Sequence, residues 1–439
     1  MPPARGPAGP LAPAILDQWK LKGTLIAEAW KMGGIDAVGL GDSDWQLGLD
    51  YFEGLAKDHG TPFLVANLTC GEEAPFPGWK VVDAHGRRVG IVGVTSGEVM
   101  GCDVTPAAEA VREALKAMGP VDVLLAVAAI NTPAGLAAAF PEDIPVSLVF
   151  DGTGGHSYVR TARFGKGWSA SAGSRGKAVG TVRLEWQDGA VAWGPAGGDA
   201  QIGLNKARAE QRLTSVESRL KAEHEPSRKR RWEQQIEAYK TQIAQMDLEL
   251  AEADAGGGVV NGFTLAELPL NPTVPDHAAT RALVDAAKSK MSEVGPTPSK
   301  RPAAAHRAPL GSPYAGSDVC LACHPTQHAQ WSGTKHATAL ASLVADKRHM
   351  DDTCWGCHVT GAREEGGPQT AVTVHGMRDV QCEACHGPAA AHAMSPAALD
   401  LRPEAKVPEA TCVGCHDGMK DEGRFDFGTY LPKVVHSAK

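Results

Sequence analysis

The sequence predicts an α/β unit in its first half, a helical hairpin after it, and a mostly α/irregular domain at the carboxyl end. Three observations carry this. Up to about residue 200, short apolar runs alternate with segments of helical periodicity. Residues 204–252 are charged and Ala-rich, with an apolar seam at 4,3,4,3,4 spacing. Within the last 130 residues one five-letter string returns four times.

The first helix is expected over 15–32, where Ile15, Trp19, Ile26, Ala29 and Trp30 recur at helical spacing before Gly33-Gly34. Strands follow at 35–40 and 63–67, with a helix through Leu47, Tyr51 and Leu55 between them. Lys80 to Ala84 and Val89 to Val94 flank His85-Gly86, the signature of a hairpin turn. Helix 106–118, strand 121–128, helix 132–139 and strand 146–150 continue the alternation, and short strands near 158–163, 179–186 and 191–193 close it. The domain limits read this way are 1–200, 201–255 for the hairpin, 256–312 for a connector and Pro/Ala-rich linker, and 313–439.

Leu40-Gly-Asp-Ser-Asp-Trp-Gln-Leu-Gly-Leu-Asp-Tyr-Phe52, then Pro62-Phe-Leu-Val-Ala-Asn-Leu68, resembles the 5′-nucleotidase branch of the calcineurin-type metallophosphoesterases. Val89 to Thr95, Val121 to Leu125, Gly154-Gly155-His156 and the run from Gly173 to Leu184 extend the likeness in order. It implies a two-sheet sandwich with flanking helices. Such enzymes use two metal ions held by Asp, Asn and His to activate water. Here Asp42 stands where the family has a metal-binding Asn, and Ser43 where it has the catalytic His. Ala128-Ala129-Ile130-Asn131 replaces S-H-L-G, and Tyr158 takes the second His of G-G-H-x-H. The expectation is the fold without its chemistry, and no non-haem metal.

In the hairpin, Trp232, Ile236, Tyr239, Ile243, Met246 and Leu250 form one stripe and Ala209, Leu213, Val216 and Leu220 the other. Glu225-Pro226-Ser227 separates them, so the two helices fold back on each other. The basic run Arg228-Lys-Arg-Arg231 is read as a solvated tip. His306 falls in the linker and has no evident role.

The repeated string is Cys320-Leu-Ala-Cys323-His324, Cys354-Trp-Gly-Cys357-His358, Cys382-Glu-Ala-Cys385-His386 and Cys412-Val-Gly-Cys415-His416. C-x-x-C-H is the attachment pattern of c-type haem. Two thiols one helical turn apart each add to a vinyl group, and the following imidazole sits under the iron. A zinc ribbon or a disulfide pair does not need His after every second Cys. Four haems are therefore expected, and they supply the apolar mass that so small a domain otherwise lacks. Motif starts 34, 28 and 30 residues apart keep the porphyrins close.

Gly316-Ser-x-x-Cys, Trp331-Ser-x-Thr-x-His336-Ala, Cys357-His-Val-Thr-Gly361, Val380-Gln-Cys-Glu-Ala-Cys-His-Gly-Pro388 and Phe425-Asp-Phe427 resemble the tetraheme cytochrome c family of nitrifying bacteria. That resemblance implies electron transfer, with most haems bound by two His. The sixth ligands are sought among His328, His336, His349, His375, His392 and His436. His336 follows the family's W-x-x-T-x-H-A pattern, and His392 and His436 come next. His375 serves the remaining haem, or that haem keeps an open position. His328 and His349 are read as surface residues.

Net charge is −8 over 439 residues, unlike a nucleic-acid binder. No run of 18 apolar residues exists, so no transmembrane segment is expected. Covalent haem is attached outside the cytoplasm, which implies a periplasmic or extracellular protein although MPPARGPAGPLAP shows no signal peptide. Cys70 and Cys102 are read as buried free thiols in preference to a disulfide. The expected function is electron carriage between a redox donor and an acceptor protein, not catalysis. The alternatives are small-molecule reductase or oxidase chemistry at a five-coordinate haem, a redox-linked phosphoesterase, and a structural module forming a homo-oligomer through the hairpin or the haem domain.

Overall fold

The computed structural model describes residues 13–130, 132–152, 160–165, 167–171, 176, 178–188, 190, 192–196, 198–222, 226–255, 261–271, 273–293, 306–398, 400, 403, 406–416 and 425–436. The chain separates into two compact units, Trp30–Pro275 and the combination of Met1–Ala29 with Asp276–Lys439. The first is thus inserted into the second. This differs from the limits read from sequence, which kept residues 1–200 together and set the hairpin and connector apart.

In unit Trp30–Pro275, α2 (Leu49–His59), α3 (Ala107–Met118) and α4 (Pro133–Ala139) alternate with strands. Helix α1 (Pro13–Gly33) crosses the division between the units. Strands β1 (Leu68–Thr69) and β4 (Asp103–Val104) pair antiparallel as a ribbon of two. The main sheet has six strands in the order β2 (Trp79–Ala84), β3 (Arg87–Val94), β5 (Val123–Ala128), β6 (Leu148–Asp151), β8 (Gly167–Ser171), β7 (Arg160–Phe164). Its centre, β3, β5, β6 and β8, is parallel and its two edges are antiparallel. The hairpin β2–β3 turns at His85 and Gly86, both with positive φ (55° and 77°), as a two-residue turn of matching twist requires.

A second sheet orders β10 (Trp193–Pro195), β11 (Asn261–Pro269) and β9 (Ala178–Glu185). One face of the six-stranded sheet buries Val92, Val94, Ala126 and Val149 against α3 and α4, through Val111, Ala114, Met118, Leu136 and Ala139. The other face meets the second sheet, with Leu148, Trp168 and Ala170 packed with Phe263, Val182 and Leu184. Two sheets with a helical layer outside are the expected architecture. Gly93 is required where β3 passes the 63–67 segment, because a β-carbon there would collide with the Leu64 carbonyl.

Three expectations for this unit need correction. Residues 35–40 and 63–67 are not strands; Val38 and Phe63 form a single bridge, because Ala66 turns its N–H to Gly93 O and Val65 to Pro77 O. The stretch read as a connector contains β11, which pairs with β9 over eight residues from Gly262↔Glu185 to Pro269↔Ala178. Cys70 and Cys102 are a disulfide and not free thiols. Leu68↔Val104 and Thr69↔Asp103 are partners in the β1–β4 ribbon, so the next residue on each strand is brought opposite the other, with Cα atoms 4.2 Å apart.

The hairpin forms as α5 (Gly198–Ala222) and α6 (Pro226–Ala255). Ala209, Val216 and Ile236 are buried in its seam, and Met246 and Leu250 reach the inter-sheet core. That packing makes the hairpin part of the α/β unit.

In the other unit, α1 is followed after the insertion by α7 (Ala278–Glu293). Short helices then hold the haem-motif region: α8 (Ser317–Cys320), α9 (Pro325–Ser332), α10 (Ala339–Ala345), α11 (Cys382–His386), α12 (Ala390–Met394), α13 (Glu409–Val413) and α14 (Phe427–Tyr430). The apolar cluster here is small, Leu343, Trp355, Val359 and Val374 with a few neighbours. Among the described residues, no helix is long and apolar enough to cross a membrane.

Candidate functional site

The four C-x-x-C-H strings are local helical turns. His324 N–H donates to Cys320 O at 2.8 Å and His416 N–H to Cys412 O at 2.9 Å, while Cys382–His386 is α11 itself. The second motif is tighter, a 3₁₀ turn over Trp355–His358. Each turn spaces its two Cys three residues apart, about one turn of helix, with His directly after the second. Motifs one and three adjoin, with the Cys320 and Cys382 thiols within hydrogen-bond reach of each other.

A buried polar frame fixes the third motif against the first. The Glu383 carboxylate, 3% exposed, accepts from Ala315 N–H (2.9 Å), Gly316 N–H (2.8 Å) and Ala389 N–H (2.8 Å). Gln381, 1% exposed, accepts from Ser317 N–H at 2.7 Å and donates to Gly376 O and Arg378 O, both at 2.8 Å. Thr360 bridges the backbone of Asp379 and Gln381.

Three motif imidazoles face a second imidazole from elsewhere in the sequence. The ring centroids of His324 and His392 are 6.5 Å apart, those of His416 and His336 6.3 Å, and those of His386 and His436 5.6 Å. A ring nitrogen sits about 2 Å from its metal, so two imidazoles on opposite sides of one iron have centroids roughly 6 Å apart. Burial, and secondarily His416, lowers the pKa of His336, favouring the neutral ring that a metal needs. His392 has Nδ1 buried without a hydrogen-bond partner. These residues fit the group that the Cys pairs imply.

Residues 319–387 match the family described as cytochrome c554 and c-prime. Cytochrome c-554 of Nitrosomonas europaea is 32% identical over 92 residues, which are 18% of this chain and 39% of that relative. The chain thus spans well under half the length of the relative. Three solved structures are similar over 38% of this chain. They are a sulfate thiohydrolase SoxB and a 5′-nucleotidase precursor, both from Thermus thermophilus, and the NAD nucleotidase of Haemophilus influenzae. Their identities are 21%, 17% and 12%, their TM-scores 0.33, 0.30 and 0.32, and 33%, 39% and 35% of their own lengths are covered.

In the cytochrome c554-like region, His358 differs from the other motif histidines. Its Nδ1 lies 2.7 Å from Ala339 O, which orients the ring, and among the described residues no second ring faces it. His375 is exposed and held at positive φ (37°). His328 and His349, read as surface residues, are half-buried: His328 Nε2 and both ring nitrogens of His349 are buried and unpartnered. Burial also lowers the pKa of His349. His306, given no role from sequence, is fixed by Asp379 (Nε2 to Oδ2, 3.0 Å) and packs its ring edge-on to Trp331 at 5.4 Å. Residues 306–312 therefore belong to the folded unit and not to a linker. No sequence pattern marks these contacts, since Asp379 lies far along the chain.

In the α/β unit the residues read against the metallophosphoesterase motifs are only partly described; Asn131, His156 and Tyr158 lie outside the described residues. Asp42 is exposed. Asp44 accepts the Gly41 N–H at 2.8 Å, and burial raises its pKa. Asn67 is consumed by the backbone, bonding Thr95 N–H and O and Thr105 O.

Proposed function

We propose that this protein is an exported electron carrier holding four haems at Cys320/Cys323, Cys354/Cys357, Cys382/Cys385 and Cys412/Cys415. The motif imidazoles His324, His358, His386 and His416 bind the irons, and His392, His436 and His336 are second ligands to the first, third and fourth. Bound haem supplies reversible one-electron exchange at its iron. The reading rests on the three imidazole pairs, each joining a motif to a residue remote in sequence at a haem's spacing. Its partners are a donor and an acceptor redox protein, and its compartment is the periplasm or the cell exterior. Mass spectrometry of the purified holoprotein tests the count: four haems per chain are expected, and fewer defeats the reading.

A second reading, small-molecule chemistry at the second motif, is favoured by the absence, among the described residues, of a ring facing His358. The reduced protein is expected to bind one carbon monoxide per chain, followed in the Soret band. No binding would mean that an imidazole, His375 or His349, completes that haem, and the second reading falls.

The α/β unit is read as a scaffold without hydrolytic chemistry. Ser43 and Ala129 cannot replace the histidines a dinuclear site uses. Hydrolysis of p-nitrophenyl phosphate with added manganese is expected to stay at the buffer rate; turnover abolished by Asp42→Ala would reverse this assignment.

A further inference from the structure

Helix α1 brings a polar clamp to the second haem motif. Gln18, 8% exposed, donates from Nε2 to Met350 O at 2.7 Å and accepts from Asp352 N–H at 3.0 Å. One helical turn on, Lys22 Nζ lies 2.7 Å from Asp351 Oδ1. The Asp351 side chain is 3% exposed and that of Lys22 29%. Asp351 is the turn from which the motif starts: Cys354 N–H and Trp355 N–H both donate to its carbonyl, and Thr353 N–H and Oγ1 donate to its carboxylate. Burial opposes ionisation of Asp351, yet Lys22 and the Thr353 bonds hold its pKa below the ordinary value. The other charges at this turn are Arg348, 3.7 Å from Asp351 Oδ2, and the Asp352–Arg363 pair at 2.7 Å.

We infer that Lys22 offsets the buried Asp351 charge and so holds up the reduction potential of the haem at Cys354/Cys357, making Lys22 a positioning and tuning residue supplied from before the inserted α/β unit. This deepens the function proposed above and rests on that motif carrying haem. The reason is charge balance. When one electron from a donor or titrant reduces ferric iron to ferrous, the local charge falls by one unit. A buried carboxylate on the turn that opens the motif opposes that change, and an ammonium beside it favours it. Arg348 is further away and 42% exposed, so it replaces Lys22 only in part.

Potentiometric titration of the holoprotein and its variants tests the inference. Lys22→Met is expected to lower the potential of one of four one-electron steps, raising its ferric-to-ferrous ratio at fixed potential at least threefold, about 30 mV for a one-electron couple. Asp351→Asn should raise the same step, the double variant should restore it, and Lys22→Arg should leave it unmoved. The other three steps stay fixed. A purely structural role moves both single variants the same way, or all four steps together, and either result overturns the inference. So does no movement in Asp351→Asn with four haems bound, a variant that retains the Thr353 hydrogen bonds if Lys22→Met does not fold. A wild-type chain lacking haem at Cys354/Cys357 by peptide mass overturns the underlying reading instead, and the inference with it.

Discussion

Replacing His336 with Ala should convert one haem in four from low-spin to high-spin and raise carbon monoxide binding from one to two per chain. His336 sits in a short 3₁₀ turn, Lys335–Thr338, whose position is fixed from outside: Val380 N–H donates to His336 O at 3.0 Å, and Trp331 Nε1 donates to Val380 O at 2.8 Å. The ring is therefore held while its partner His416 is stacked from another side by Phe425, with centroids 4.5 Å apart and planes 13° from parallel. Removing the His336 imidazole leaves this scaffold intact, so the loss should be confined to one ligand. His392→Ala and His436→Ala should each give the same change at a different haem, and the effects should add, because the three pairs share no residue. Electron paramagnetic resonance of the ferric protein counts the new high-spin signal. A spectrum in His336→Ala identical to wild type would remove the assignment of His336 to the fourth motif. His375→Ala, by contrast, should leave the spectrum unchanged, since His375 is exposed and faces no motif ring among the described residues.

What the sequence made legible follows from locality. The four C-x-x-C-H strings are readable as compact turns because each is a property of five consecutive residues. Likewise the β2–β3 hairpin is announced by His85-Gly86 and by the valines on either side, and α3 by Val111, Ala114 and Met118 on one face. The pairing of each motif with its second imidazole was not legible. His392 serves the first motif, His336 the fourth and His436 the third in the arrangement proposed, an order that tertiary packing alone decides. The disulfide was missed for the same reason. Cys70 and Cys102 carry no informative spacing, and only the register of a two-residue ribbon opposes them. Strand β11 does alternate, with Phe263 and Leu265 facing the core, but its partner β9 precedes the hairpin, so a reading in chain order stopped at the glycines before it. The insertion of one unit into the other is the same lesson at larger scale: the contacts of Gln18 and Lys22 lie with residues more than 300 positions later.

Glu383→Ala should cost about 3–9 kcal/mol, a large share of the 5–15 kcal/mol that holds a domain in all. Glu383 is one of the two spacer residues of its haem motif, a position that touches no iron and bonds no vinyl group. Its carboxylate nonetheless takes three backbone N–H groups, two at the entry to the first motif and one beyond the third. Those donors come from Ala315, Gly316 and Ala389, and the first two lie on the turn that leads into α8. Gly316 is committed to its conformation, with φ 89° and no room for a β-carbon beside His306 O, so this turn cannot relax toward another acceptor. Each stranded N–H then carries its own desolvation penalty, about 1–3 kcal/mol. Glu383→Gln keeps the shape but turns an NH₂ donor toward at least one backbone donor, so it should recover only part of the loss. Leu321→Ala is the control: it occupies the equivalent spacer of the first motif, is 46% exposed, and should fall within about 0.5 kcal/mol of wild type. Guanidinium unfolding of the haem-loaded proteins, followed by tryptophan fluorescence, measures all three. A Glu383→Ala protein within about 1 kcal/mol of wild type would mean that water reaches these donors, and the buried carboxylate would no longer explain how the first and third motifs are held together.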